Sequence, residues 1–170
     1  MTGLEPNGTI LLVEDNDDDA FFFNRAVKRS GLPISVDRVT DGPEALDYLM
    51  RQIPSAENVL TVKPGIILLD LKLPKLNGFE VLTWIRAHQR LKHLFVSILS
   101  SSSEDSDRLR ASYLKADAYL VKPSSIQEYD LLVNRIYHDW LTRGKGRPAD
   151  SAPKAETPKA AKARASIENV

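Results

Sequence analysis

Five short apolar runs, each closing in a polar cluster, constrain this chain more than anything else in it. They lie at residues 9–13 (TILLV), 34–39 (ISVDRV), 66–69 (IILL), 95–99 (FVSIL) and 118–121 (AYLV). Each is too short for a helix and rich in branched side chains, so each predicts a strand, and the continuously apolar ones predict strands buried on both faces. Segments of helical character run between them. Asn16 followed by Asp17, Asp18 and Asp19 has the form of a helix cap and an acidic first turn, and the helix presents Phe22, Phe23, Ala26 and Val27 before Gly31 stops it. Asp41-Gly42-Pro43 opens a second helix carrying Ala45, Leu46, Leu49 and Met50. After the turn residues Pro74 and Gly78, Phe79, Leu82 and Ile85 mark a third, and residues 104–115 form a polar fourth. Tyr129, Leu132, Val133, Ile136, Tyr137 and Trp140 recur at spacings of three and four and give the fifth. Residues 51–65, with two prolines and no sustained period, read as a long loop.

Strands alternating with helices predict a doubly wound α/β domain around a parallel sheet, with right-handed crossovers. In such a sheet the ligand crevice lies beyond the carboxyl ends of the strands. The clusters Glu14-Asp15, Asp70, Ser100-Ser101 and Lys122, each at the end of a different run, are therefore expected to converge on one site.

Composition narrows the classes. The 170 residues suit one domain and a tail, and the absence of cysteine excludes disulfides, thiolate catalysis and cysteine metal sites. The formal net charge of zero hides a split: residues 144–170 carry six basic and three acidic residues, which leaves 17 basic and 20 acidic in residues 1–143. A mildly acidic domain is a poor candidate for non-specific nucleic-acid binding. The tail, residues 143–170, is rich in Ala, Lys and Pro with little to bury and is expected to be disordered, with a short helix over 159–167 within reach of its composition. Neither a membrane span nor a signal peptide is seen, so a cytoplasmic location is expected.

The strand-end residues carry a coherent chemistry. Glu14, Asp15 and Asp70 offer the oxygen ligands that a hard cation such as Mg²⁺ prefers. Asp70 can act as a carboxylate nucleophile toward phosphorus, with the cation and the Lys122 ammonium neutralising the equatorial oxygens. Ser100 can donate a hydrogen bond to the group once attached.

Four motifs, ILLVEDN, IILLDLKLPKLNG, SILSSS and ADAYLVKPSS, occur in that order, and through them residues 8–142 resemble the receiver domain of two-component response regulators. The resemblance implies a flavodoxin-like fold with strand order 2-1-3-4-5. It implies Asp70 as phosphoacceptor, and Glu14, Asp15, Asp70 and the backbone carbonyl of Lys72 as Mg²⁺ ligands. It makes Ser100, with Ser101 beside it, the switch hydroxyl, Lys122 the phosphate-binding lysine, Tyr119 the rotating aromatic that turns inward on phosphorylation, and the Lys122–Pro123 peptide cis. The partner is then a histidine kinase or histidine phosphotransfer protein, its histidine-bearing helix docking by the first helix near Phe21 and Phe22. A homodimer through the fourth helix, fifth strand and fifth helix is a further implication. The NDDDA start, the long loop before the third strand and the DLKLPKLNG segment resemble the stand-alone receivers that serve bacterial phytochrome-type kinases. Two departures stand out. Ser100 occupies a position more often threonine, and Lys72 occupies one where the family varies and hydrolysis is tuned.

Each residue alone has a plainer explanation: acids at a solvated helix start, a strand-end cap, a surface lysine, a serine loop. His88, His93 and His138 lack ligand spacing and read as solvated side chains. Phe21, Phe22 and Phe23 cannot share one face, so Phe21 is expected to be exposed. Trp140 is expected to pack on the core. Two competing functions are weaker. An aspartate-nucleophile phosphohydrolase of the haloacid-dehalogenase type needs a carboxylate two residues after the nucleophile, where Lys72 stands. A nucleic-acid-binding regulator would have only the basic tail, because the 28 residues after Thr142 are too few for a helix-turn-helix.

Overall fold

The computed structural model describes residues 8–53 and 64–144. The five strands are β1 (Gly8–Val13), β2 (Ile34–Val39), β3 (Ile66–Leu69), β4 (Phe95–Ser100) and β5 (Ala118–Val121). The helices are α1 (Asp17–Ser30), α2 (Gly42–Arg51), α3 (Gly78–Ala87), α4 (Asp105–Tyr113) and α5 (Ile126–Asp139), the last running into a π-helical turn at Trp140–Gly144. All strand pairs are parallel and their order is β2-β1-β3-β4-β5.

Alternation along the strands explains why apolar residues occupy both parities. Ile10, Leu12, Ile66, Leu68, Phe95, Leu99 and Leu120 face α1 and α5, where Phe23, Ala26, Val27, Tyr129, Leu132, Val133 and Ile136 cover them. Leu11, Val13, Ile67, Leu69, Val96 and Ile98 face α2, α3 and α4. A parallel sheet covered on both faces needs this double apolar set.

The helix ends follow their caps. Asn16 accepts from the Asp19 N–H at 3.0 Å, Asp41 from Glu44 at 2.8 Å, and Asn77 forms a capping box with Glu80. Gly31 closes α1 in the left-handed region at φ 65°. At the edge opposite the site, the Trp140 ring lies against Gly8 and Gly65, where an added Cβ would sit 2.8 and 2.9 Å from ring atoms. Close approach to the indole therefore requires glycine at both positions. At the same edge Arg86 donates to the carbonyls of Lys92, Leu94 and Lys115 and to Asp117 at 2.9 Å, and Asp117 also accepts the Val96 N–H. That cluster pins the connections into β4 and β5.

Several sequence expectations need adjustment. Ser100 is the last residue of β4, fully buried, and not the first residue of a loop. The polar fourth helix is shorter than 104–115, beginning after Glu104, which makes no side-chain cap bond. On α1 the buried face adds Ala20 and leaves Phe22 half-buried. Phe21 is 59% exposed, as its angular position requires, and Trp140 packs against the core. Most of the 51–65 loop and the tail from residue 145 lie outside the described residues.

Candidate functional site

Strand register builds the site. Val13 pairs with Leu69, so Glu14 and Asp70 follow on adjacent strands at the carboxyl edge, and the Asp70 N–H donates to the Val13 carbonyl at 3.1 Å. Ser100 pairs with Val121, and the Lys122 N–H donates to the Ser100 carbonyl at 2.9 Å. Carboxylate oxygens of Glu14, Asp15 and Asp70 lie within 4.8 Å of one another. Glu14 and Asp70 are buried and Asp15 is exposed. Gly78 fits where it does because a Cβ there would come within 2.2 Å of the Asp70 carbonyl oxygen.

The Lys122 ammonium sits among these acids, 2.7 Å from Glu14, 2.8 Å from Asp70 and 2.9 Å from Asp19. Burial pulls its pKa down, but the hydrogen bonds to Asp70, Glu14 and Asp19 outweigh that and hold it above the usual lysine value. Burial raises the Glu14 carboxyl, and the Lys122 bond only partly offsets it. Backbone donors complete the cluster: the Lys72 N–H reaches Asp70 Oδ1 at 3.1 Å and the Asn16 N–H reaches Glu14 Oε1 at 3.1 Å. Three convergent carboxylates, one of them open to solvent, match the all-oxygen donor set of a hard divalent cation such as Mg²⁺.

The remaining sequence candidates are arranged around this centre. The Ser100 hydroxyl accepts the Ser102 N–H at 3.2 Å, and Ser101 is exposed. Tyr119 is half-buried on the α3–α4 side of β5, donates its hydroxyl to the Ser102 carbonyl at 2.9 Å, and has Arg108 5.0 Å above its ring. Pro123 and Phe22 line one groove of about 310 Å³ with Asp19, Ser124, Ser125, Ile126 and Tyr129, and Phe21 stands edge-on to Phe22 with centroids 5.7 Å apart.

Two residues of the site went unread in the sequence. Asp19 reads in the sequence as a helix-start acid, yet it bridges Lys122 and the Tyr129 hydroxyl, the latter at 3.2 Å. Arg38 donates to the carbonyls of Glu14 and Asp15 at 3.0 and 3.2 Å and pairs with Asp17 at 2.8 Å. Only the β1–β2 register, Leu12 beside Arg38, could have pointed to it.

A doubly wound sheet with acids and a lysine at its carboxyl edge is the architecture of a receiver. A family model described as "Response regulator receiver domain" matches residues 10–134, and the chain belongs to that family. It is similar to "Probable methanogenesis regulatory protein FilR2" of Methanothrix harundinacea, 38% identical over 132 residues covering 78% of this chain and 83% of that protein. Response regulator Rcp1 of Synechocystis is 32% identical over 80% of this chain and 90% of its own length, and the Mn²⁺-bound Rcp1 structure superposes with a TM-score of 0.66. The structure of the phosphorylated cyanobacterial phytochrome response regulator RcpA is 36% identical, covers 79% of this chain and 94% of its own, and has a TM-score of 0.68. None of the helices described is long and apolar enough to cross a membrane.

Proposed function

We propose that this receiver is a phosphorylation switch with Asp70 as its phosphoacceptor. The observation that carries the reading is the juxtaposition, in a member of this family, of the buried Asp70 carboxylate with two further acids and the Lys122 ammonium 2.8 Å away. Glu14, Asp15, Asp70 and the Lys72 carbonyl would hold Mg²⁺, which when bound shields the negative charge that otherwise keeps an anionic phosphoryl group away. An Asp70 oxygen attacks phosphorus in line, forming the P–O bond as the P–N bond to the donor histidine breaks, and the electron pair of that bond returns to the imidazole. Lys122 donates to an equatorial oxygen as charge shifts. Ser100, at the adjacent strand end, donates to the attached group, and the change passes along β4 and β5 toward α4 and α5.

Similarity to RcpA and Rcp1 supports a phytochrome-type histidine kinase, or a phosphotransfer protein, as donor, docking at Phe21, Phe22 and Pro123. The α4, β5 and α5 face, with Leu109 and Tyr113 exposed, is the candidate surface for a homodimer or target. A phosphohydrolase reading gains no support, because Lys72 occupies the place of its general acid. Incubation with acetyl phosphate and Mg²⁺ followed by intact mass measurement tests the proposal. Wild type is expected to gain one phosphoryl mass and Asp70→Asn none; the same gain in the variant overturns the assignment.

A further inference from the structure

α1 begins with three successive aspartates, and only one of them turns into the molecule. Asp17 pairs outward with Arg38 and Asp18 is exposed. Asp19 donates its backbone N–H to the Asn16 cap, and its carboxylate reaches across to other elements. Its Oδ2 accepts from Lys122, 103 residues away, at 2.9 Å, and Oδ1 accepts from the Tyr129 hydroxyl, 110 residues away, at 3.2 Å. The Asp19 side chain is 32% exposed, against 2% for Glu14 and 6% for Asp70. It is the most exposed of the three acids bonded to the lysine, and it lines the groove shared by Phe22, Pro123 and Tyr129.

An ammonium has three N–H donors, and Lys122 commits them to Glu14, Asp70 and Asp19. Two of those partners change identity during phosphotransfer. Glu14 is drawn to the cation. Asp70 becomes an acyl phosphate whose carboxyl oxygens no longer carry a full charge, while new anionic oxygens appear on phosphorus. Asp19 alone takes no part in either event. Its second oxygen is tied to Tyr129, a buried residue of α5, so it cannot follow the lysine.

We infer that Asp19 is a positioning residue for Lys122: the fixed carboxylate that keeps the ammonium beside Asp70 while Glu14 and Asp70 exchange their partners. The inference rests on the phosphoacceptor reading above. Without Asp19 the lysine has only the two acids that the reaction needs for other purposes. It then competes with the cation for Glu14 or leaves Asp70. Tyr129 acts one step further out by orienting Asp19, which links α5 to the chemistry without touching it.

The test uses the full chain at saturating Mg²⁺, so that metal affinity does not enter, with acetyl phosphate as donor and intact mass as readout. Asp19→Asn keeps the shape and removes the charge, and is expected to slow phosphorylation about tenfold, the scale of a hydrogen bond to a charged group. Asp19→Glu should recover part of that loss. Tyr129→Phe, which leaves Asp19 charged but untethered, should cost about threefold. The second readout needs no phosphodonor: solvent exchange of the Lys122 ammonium protons, followed by nitrogen-15 NMR, should quicken in Asp19→Asn. A merely structural Asp19 would lower the denaturation midpoint and leave that exchange unchanged. Wild type and Asp19→Asn phosphorylated at equal rates would overturn the positioning role alone. An unreactive wild type removes the phosphoacceptor reading, and this inference with it. If Asp19→Asn does not fold, Tyr129→Phe decides, and a wild-type rate in that variant overturns the inference.

Discussion

Single carboxylates in this molecule differ in what surrounds them, and the differences set testable behaviour. Asp15 is exposed and belongs to a trio crowded within 4.8 Å, and like charges that close repel one another. Asp15→Ala is expected to weaken Mg²⁺ binding about tenfold or more, because one of three anionic ligands is lost, without lowering the stability of the metal-free protein. Calorimetric titration and urea unfolding read the two effects; unchanged Mg²⁺ affinity would place the cation elsewhere. Asp41 is the contrasting case. It caps α2 and pairs with Lys75, and the Lys75 bond, then the Glu44 N–H, hold its carboxyl below the ordinary value of 3.8. A folded-state pKa lower than the unfolded one stabilises the fold fully above the unfolded value, and that stabilisation fades as pH falls through the folded one. Asp41→Asn should therefore lower the urea midpoint at pH 7 and narrow the gap between variant and wild type near pH 3. A gap that does not shrink on acidification would show that the charge of Asp41 contributes nothing.

At the level of elements, the short strands were the legible part. The second, third and fifth runs match β2 (Ile34–Val39), β3 (Ile66–Leu69) and β5 (Ala118–Val121) residue for residue, and β3 is the clearest because a parallel strand covered on both faces leaves a continuous apolar signature between polar ends. Helix starts were legible at Asn16 and Asp41, where a side chain caps them, and less so at α4, whose start has no capping bond. The buried centre of the site was legible too, since Glu14, Asp70 and Lys122 terminate strands. Asp19 and Arg38 were not, because their meaning depends on partners 103 and 24 residues away. The turn after α5 shows the same limit. Trp140 announced itself as an apolar position, but nothing local tied it to Gly8 and Gly65 across the base of the sheet. Its ring is half-buried there, so Trp140→Ala is expected to cost about 2 kcal/mol, below the roughly 3–5 kcal/mol for losing a fully buried large aromatic. Gly65→Ala should destabilise as well by displacing the same ring. Urea unfolding followed by far-UV circular dichroism measures both, and a Trp140→Ala midpoint equal to wild type would show that the turn is not docked.

For the molecule as a whole, the proposed switch requires that a change at one edge of the sheet reach α4 and α5. The sequence offered a moving pair, Ser100 and Tyr119, in which the ring follows the hydroxyl. The structure joins them through a third residue: Ser102 donates its N–H to the Ser100 hydroxyl and accepts the Tyr119 hydroxyl at its carbonyl, at 3.2 and 2.9 Å. Arg108 of α4 lies over the ring, 5.0 Å from its centroid. Tyr119 is thus held from two sides, by the loop after β4 and by α4. If Ser100 turns to donate to a phosphoryl oxygen and the Ser102 N–H loses its acceptor, the tyrosine position responds through the backbone of Ser102. Arg108 supplies the resistance, and an exposed cation–π contact is worth about 0.5–1 kcal/mol, a two- to fivefold bias in population. Arg108→Ala should therefore let Tyr119 populate a second position in the unphosphorylated protein. Fluorine NMR on fluorotyrosine-labelled chain would show it as a new or exchange-broadened Tyr119 resonance, absent from wild type. Beryllofluoride with Mg²⁺, standing in for the phosphoryl group, should return the variant to a single environment. A Tyr119 resonance identical in wild type and Arg108→Ala would mean that Ser102 alone fixes the ring and that α4 learns of the site by another route.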